Sequence, residues 1–468
     1  MRRPFALSTL SLLGACTLGP NYAGPPHPTA SGAVPAGFAR SGNGATAAEP
    51  AAAQWWTSLG DPLLDELERQ ALADNPNVAM ALARLNQARA ALRLEKANAL
   101  PSASASPVYG HLELPAIAGN SAKSYDFFNM GLDASWEADL FGGHRRGIES
   151  ARATMEAGAA RLADVQVQIG AEVAQAYVAL RDRQQRVALL RQSVGLQQRM
   201  LELTRQRFRG GTASAVDVER LQGQMDGTAA QIEPLRADID AYRNALAVLT
   251  GQAPGALDAR LEAAGAVPNP PAQVAVGDPA ALLQRRPDIR AAERDLAART
   301  AKIGVAEAAR FPALSFMGVI GLGGSSLSDV TDVNNIAAIA VPQLRWNFLD
   351  FGRGKARVRQ AEAARDEAEG QYRATVLKAL QDAEDALARF GKQRNQLAAL
   401  ARVKLSADRA AELTRQRYRA GTTTLIDLLD TERRRVDAEQ NLAQAQAGLT
   451  GYFIALQKSL GLGWQAES

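Results

Sequence analysis

Leu203-Thr-Arg-Gln-Arg-Phe-Arg-Gly-Gly211-Thr212 is the stretch on which the reading of this chain turns, because it returns as Leu413-Thr-Arg-Gln-Arg-Tyr-Arg-Ala-Gly421-Thr422. The displacement is 210 positions, and it also relates Trp136 to Trp346, Phe141-Gly142 to Phe351-Gly352, and Asp217 to Asp427. Near the start of each half, Asn75-Pro76 matches Arg286-Pro287 and Leu100-Pro101 matches Phe311-Pro312, both displaced by 211. A period this long is no solenoid, whose repeats are roughly 20–50 residues. It marks a duplicated structural unit.

Working outward, 468 residues would ordinarily mean two or three domains, but the duplication makes them one doubled protomer. With 47% hydrophobic and 22% charged residues, the chain is neither disordered nor collagen-like nor a disulfide scaffold. Its net charge of +4 comes from 53 basic and 49 acidic residues spread along the chain, which excludes a nucleic-acid stripe. The 21 prolines are uneven: none lies between Gly142 and Arg209, and none from Gln343 to the end. Since proline costs ~3 kcal/mol inside a helix, these gaps permit two very long helices.

Each half reads as helix, two strands, long helix, helix. The first helix spans roughly Pro62 to Asn98, with Asp61 and Pro62 as N-cap and N1, and its equivalent spans about Asp288 to Arg310. After Pro101 and Pro312 the period changes. Phe128, Met130, Leu132, Ala134 and Trp136 alternate with polar or small residues, as do Leu344, Trp346 and Phe348, while Leu314, Phe316, Ile320 and Leu322 share one face. The stretch from Pro101 to about Tyr109 is rich in Ser and Ala. Two readings fit these strands: an antiparallel sheet packed on helices, or a membrane β-barrel with a lipid face and a polar lumen. In the second, the aromatic pairs Trp136/Phe141 and Trp346/Phe348 form an interfacial girdle. Four strands cannot close alone, so a barrel demands several copies.

The long helices run from Gly142 to Arg209 and from Gly352 to Ala420, each ~100 Å at 1.5 Å per residue. Val173, Leu180, Val187, Val194, Leu201 and Phe208 recur every seven residues, with Leu162, Ile169, Ala176 and Leu190 on a second line, which is coiled-coil packing. Each helix reaches a Gly-Thr turn and is followed by a returning helix, Val216 to Leu249 or Leu425 to Leu460. Glycine there suits a C-terminus needing φ > 0, and Ser or Thr caps the next start.

At the N-terminus, Arg2 and Arg3 precede an apolar run from Phe5 to Leu13, too short for a bilayer span of roughly 20 residues. It ends in Leu13-Gly14-Ala15-Cys16, a string like a lipobox, and Cys16 is the sole cysteine. Two outcomes fit: a lipoprotein acylated at Cys16, or an ordinary secretory signal with an incidental cysteine. The Pro/Gly/Ala-rich segment from Leu18 to about Ala53 reads as an extended tether.

These residues resemble the outer membrane factor family, the TolC- and OprM-like efflux channels, in its lipoprotein branch serving resistance-nodulation-division type systems. The likeness rests on Cys16-Thr-Leu-Gly-Pro20-Asn-Tyr22, on the duplicated plan, and on Tyr-Arg-Ala-Gly421-Thr followed by Leu428-Leu429-Asp430. It implies an α+β fold: a homotrimer with a twelve-stranded outer-membrane β-barrel continued by a twelve-helix periplasmic α-barrel. Residues 1–15 are then a signal peptide and 16–54 a lipidated tether. The first repeat is 55–252, with strands about 101–114 and 126–140 and a tip at 210–212. A linker or equatorial segment is 253–286. The second repeat is 287–461, with strands about 312–323 and 335–348 and a tip at 420–422, and 462–468 is a tail.

The resemblance further implies that the tips, Gly211-Thr212 and Gly421-Thr422, dock a periplasmic adaptor protein bound to an inner-membrane efflux pump. Carried over residue by residue, the periplasmic gate falls on Ile426 and Asp430, four apart and hence on one helix face. In a symmetric assembly they stack as an apolar ring and a carboxylate ring. Asp427 and its equivalent Asp217 either join the gate through Arg205, Arg207, Arg415 or Arg417 or belong to a solvated face. No enzyme activity and no cofactor are expected. His27, His111 and His144 lack ligand spacing, so no metal site is expected. Gly321-Leu-Gly-Gly324-Ser-Ser lacks the ending of a phosphate loop and reads as a cell-surface turn. Trp55-Trp56 reads as packing. Two functions remain: a gated export duct in the outer membrane, anchored in its lipid and extending into the periplasm, or a non-conducting lipoprotein scaffold.

Overall fold

The computed structural model of the chain describes residues 17–27, 35–42, 45–50, 53–115 and 123–464. In chain order the first half runs β1 (Ala45–Thr46), α1 (Pro62–Asp74), α2 (Pro76–Asn98), β2 (Ser102–Leu114), β3 (Lys123–Ala138), α3 (Gly143–Arg209), α4 (Ala215–Ala230) and α5 (Ile232–Leu249). The remainder runs α6 (Asp258–Leu261), β4 (Val274–Ala275), α7 (Pro279–Arg285), α8 (Pro287–Ala308), β5 (Ala313–Gly324), β6 (Ile336–Arg345), α9 (Arg353–Arg419) and α10 (Leu425–Ser459). Among the described residues no helix is long and apolar enough to cross a membrane. The chain separates into two compact units. The first takes the described parts of 1–26, 84–159 and 291–373, and the second those of 27–83, 160–290 and 374–468.

The first unit carries a four-stranded antiparallel sheet in the order β2-β3-β5-β6. β2 and β5 begin just past Pro101 and Pro312, where a proline cannot continue a helix. β3 stops at Ala138 because the Asp139 carboxylate turns to accept the His144 and Arg145 amides at the start of α3. Asp350 does the same for Gly352 and Gly354 ahead of α9. Gly321 to Gly324 proves to be strand rather than turn. Gly321 pairs with Gly131, and a Cβ on Gly323 would stand 2.5 Å from the Phe128 carbonyl, so glycine lets β5 approach β3 closely.

The second unit holds the helical hairpins and their core, in which Val173, Tyr177 and Leu180 of α3 are fully buried. Two helices expected as single pieces are divided, and a further short helix, α7, precedes a third. Pro76 splits the first, with Asn75 forced to an extended ψ of 128° between α1 and α2. Pro287 likewise separates α8 from α7, and α7 lies inside the stretch read as a linker. The return of the first hairpin breaks at Gln231 because the ring of Pro234 would meet the carbonyl of Ala230 four residues back. α10, without proline, is continuous over 35 residues.

The two proline joints share a device. Asn75 Nδ2 donates to the Leu249 carbonyl at 2.8 Å, and Arg286 Nη1 donates to the Ser459 carbonyl at 2.8 Å. Each ties the last turn of a returning helix to the break that opens its own half. Trp55 and Trp56 are packing residues, 4% and 3% exposed, with Trp55 edge-on to Phe453.

The described part of the supposed tether is built into the fold. In the first unit, Leu18 N donates to the Phe141 carbonyl, while Arg146, itself buried, donates to the Leu18 and Gly19 carbonyls and to Asn21 Oδ1. In the second, Glu384 accepts the Ala39 and Arg40 amides, and β1 pairs in parallel with β4. Composition suggested a free linker, but Pro and Gly here shape turns whose backbone groups are taken up by distant side chains.

Candidate functional site: the sheet and the hairpin tips

Register sorts the sheet into two faces of unequal polarity. Cross-strand partners share a face. Thus Tyr109, Phe128, Met130, Leu132 and Trp136 align with Leu322, Ile320 and Phe316, and these with Ile336, Pro342 and Leu344. The opposite face carries Ser102, Ser106, Asn129, Asp133, Ser135, Gln343 and Arg345, together with exposed Val108, Phe127, Met317, Ile339 and Val341. Ser106 hydrogen-bonds to Asp133, and Ser102 and Ser135 lie 2.9 Å apart. The indoles repeat across the halves: Trp136 Nε1 donates to the Ala99 carbonyl and Trp346 Nε1 to the Arg310 carbonyl, each at 3.1 Å. Each satisfies its polar edge at the helix-to-strand junction while the ring stays apolar. Trp136 stacks on Phe316, and Phe141 on Phe311. Among the described residues, both outer strands, β2 and β6, have one unpaired edge.

At the tips, Gly211 has φ 76° and Gly421 has φ 74°. Thr212 N donates to the Arg207 carbonyl and Gly211 N to the Phe208 carbonyl; Thr422, Arg417, Gly421 and Tyr418 repeat the pattern. This is a Schellman closure, with glycine at the left-handed position. Nothing lies within 4 Å of a Cβ placed on Gly421. Gly421→Ala should therefore cost about 1 kcal/mol through backbone strain alone, read as faster hydrogen exchange at the Thr422 amide.

The returning helices open on capping boxes. Ser214 Oγ accepts the Asp217 amide and Asp217 accepts the Ser214 amide; Thr424 and Asp427 do likewise. The hydroxyl of Ser214 holds the Asp217 carboxyl below the usual carboxylate range, and that of Thr424 does so for Asp427, with the backbone amides adding to it. Asp427 is thus occupied at the helix start. The arginines considered for it bond elsewhere: Arg205 to Gln222, Arg207 to the Tyr418 hydroxyl, Arg415 to Glu412 and Glu432, and Arg417 to the Thr422 carbonyl. The Ser214-x-x-Asp217 and Thr424-x-x-Asp427 spacing was the available signal.

Ile426 and Asp430 share the outward face of α10, with Ile426 52% exposed. Asp430 pairs with Arg433 at 3.0 Å and Arg434 at 2.8 Å. On the inward face Leu425, Leu428 and Leu429 pack on Leu201 of α3 and Leu221 of α4, flanked by Met200, Val218, Met225 and Tyr418. Sequence reasoning missed this cluster, which joins the two hairpins.

A family model for the outer membrane efflux protein matches residues 67–252 and 279–462. The chain belongs to the outer membrane efflux protein family. The second match begins at the residue that opens α7. Nodulation protein T of Rhizobium leguminosarum bv. trifolii is 30% identical over 97% of this chain and 96% of its own length. Outer membrane protein OprJ of Pseudomonas aeruginosa is 31% identical over 99% and 97%. The solved outer-membrane channel OprN superposes with a TM-score of 0.89 at 34% identity, over 96% of this chain and 100% of that one. As a member of the outer membrane efflux protein family, the chain is an outer-membrane channel protein of α+β fold.

The expected lipid site, Cys16, lies outside the described residues, as do the signal peptide at 1–15 and residues 465–468. Among the described residues no three His, Cys, Asp or Glu side chains gather as a metal would require. His111 pairs with Asp126 across β2 and β3 at 2.9 Å. An open groove of about 1190 Å³ in the second unit mixes Asp164, Asp288 and Asp382 with Arg286, Arg389 and Lys458. Its charges are balanced, with four acidic and four basic side chains in the lining.

Proposed function

We propose that three copies of this efflux channel close its four-stranded sheet into a twelve-stranded barrel and its hairpins into a twelve-helix duct. The observation that carries this is the sheet: large apolar side chains stand exposed on all four strands, and among the described residues each side has an unpaired edge. In hydrocarbon every backbone group must be bonded, and a closed barrel is the one sheet that manages it. The duct passes solutes from periplasm to exterior without covalent chemistry, as the export component of a tripartite system. Acyl groups on Cys16 anchor it in the outer membrane. The Gly211-Thr212 and Gly421-Thr422 tips meet a periplasmic adaptor bound to an inner-membrane pump.

Ile426 and Asp430 form the periplasmic constriction, an apolar ring and a charged one. Asp427 supports it from within its capping box by fixing where α10 begins. Each Asp430 holds Arg433 and Arg434, and removing the carboxylate leaves like charges facing one another around the axis. Asp430→Ala is expected to raise the leak conductance of the trimer in planar bilayers. Unchanged conductance would take this residue out of the gate, whereas a wild-type trimer that conducts under no condition would favour a scaffold.

A further inference from the structure

We propose that Glu68 is a proton-binding site in the second unit, a carboxyl kept neutral at physiological pH that lets α1 close on α3 and loosens that contact when it ionises. Glu68 stands on the apolar face of α1 with Leu64, Leu67 and Ala71, all of them buried, and is itself 0% exposed. Neither carboxyl oxygen makes a well-formed hydrogen bond within the protein, the Ala174 amide being a nearby donor that acts on the group only weakly. The carboxyl occupies space that Gly170 of α3 leaves open: a Cβ there would stand 3.2 Å from Glu68 Oε2 and 3.6 Å from the Trp56 ring. Because the burial is complete within one chain, assembly does not alter it.

The charges around the group do not rescue an anion. Asp65, one turn earlier on α1, repels it. The turn Trp55–Leu59 offers Trp56, and α3 offers Gly170 and Ala174, none of which titrates. Farther along α3, Tyr177 is engaged with Asp61 and Arg181, and that guanidinium bonds to Gln184 and the Ala263 carbonyl. A buried carboxylate without a partner neutralises instead of staying charged. Burial, with Asp65 adding, holds the Glu68 carboxyl well above its usual range, and the Ala174 amide offsets only part of this.

The direction follows from proton linkage. Above the ordinary carboxyl pKa of ~4.3, the unfolded chain has released this proton and the folded one retains it. Stability from this group is therefore complete at acid pH and declines as pH rises toward the elevated folded value.

The test is to melt the purified full-length channel in detergent between about pH 5 and about pH 9, comparing wild type with Glu68→Gln and Glu68→Leu. The difference in midpoint between wild type and either variant should widen with pH, with wild type lower by a few degrees at the alkaline end. Glu68→Leu guards against an amide that itself lacks partners. The absorption of a protonated carboxyl in infrared difference spectra at neutral pH should vanish in both variants. A pH-independent difference together with an unchanged spectrum would overturn the proposal.

Discussion

Leu428→Ala is expected to cost about 2–5 kcal/mol in the packing that holds the start of α10 against the first hairpin. Leu428 is 3% exposed and sits between Leu425 and Leu429, facing Leu201 and the fully buried Leu221. Truncation leaves a void that neighbouring turns fill poorly, because these leucines come from three different helices whose backbones are set by long stretches outside the cluster. The functional result follows from the geometry of α10. Its inward leucines fix the rotation of the helix, and that rotation aims Ile426 and Asp430 outward. The resting conductance of the trimer in planar bilayers should rise, and Leu428→Met, which conserves volume, should cost less than about 1.5 kcal/mol and leave conductance near wild type. Equal conductance for the two variants would separate the cluster from the gate.

Arg146→Ala should release the N-terminal segment, at a cost of about 2–3 kcal/mol. Its guanidinium is buried and bonds to the Leu18 carbonyl at 3.0 Å, the Gly19 carbonyl at 3.0 Å, Asn21 Oδ1 at 2.7 Å and Glu149 at 2.7 Å. Such charge-assisted bonds are stronger than neutral ones, and the alanine removes this donor from the Leu18 and Gly19 carbonyls and from Asn21. The backbone fits only because Gly142 and Gly304 leave room: a Cβ would stand 2.7 Å from Thr17 Cγ2 in the first case and 2.7 Å from the Leu18 carbonyl in the second. Downstream, Tyr22 donates to Glu293 and lies under the Arg294 guanidinium. Burial, with Glu293 adding, pushes its hydroxyl pKa upward, so the bond persists to alkaline pH. Chymotrypsin should spare Tyr22 in wild type and cut after it in Arg146→Ala, giving a product that begins at Ala23. Continued protection would show that the segment is held without Arg146.

Much of this architecture was legible because the duplication gave every landmark twice. Gly211 and Gly421 announced the hairpin turns, since a left-handed residue closing a helix is a local requirement that glycine meets locally. Strand alternation from Phe128 to Trp136 was legible for the same reason: a face is set by period, before any partner is known. The spacing of Ile426 and Asp430 likewise put them on one side of α10. Where local rules conflicted, the reading slipped. Pro76 and Pro234 are visible in the sequence, yet an apolar helical pattern running through them conceals the breaks. The glycines at 321, 323 and 324 were taken for a turn because their role, admitting β3 at close range, exists only once the strands are paired.

By itself, then, the sequence determined the doubled plan, the two long helices, the strand faces and the turns, all of which depend on residues near one another in the chain. Tertiary structure alone decided which leucines from α3, α4 and α10 meet. It also decided that Arg146 clasps a segment more than a hundred residues earlier, and that Glu68 faces a glycine of another helix instead of a base. The physical reason is the same in each case. Periodicity and capping act along the chain, whereas burial and long-range hydrogen bonding depend on which distant groups packing brings together.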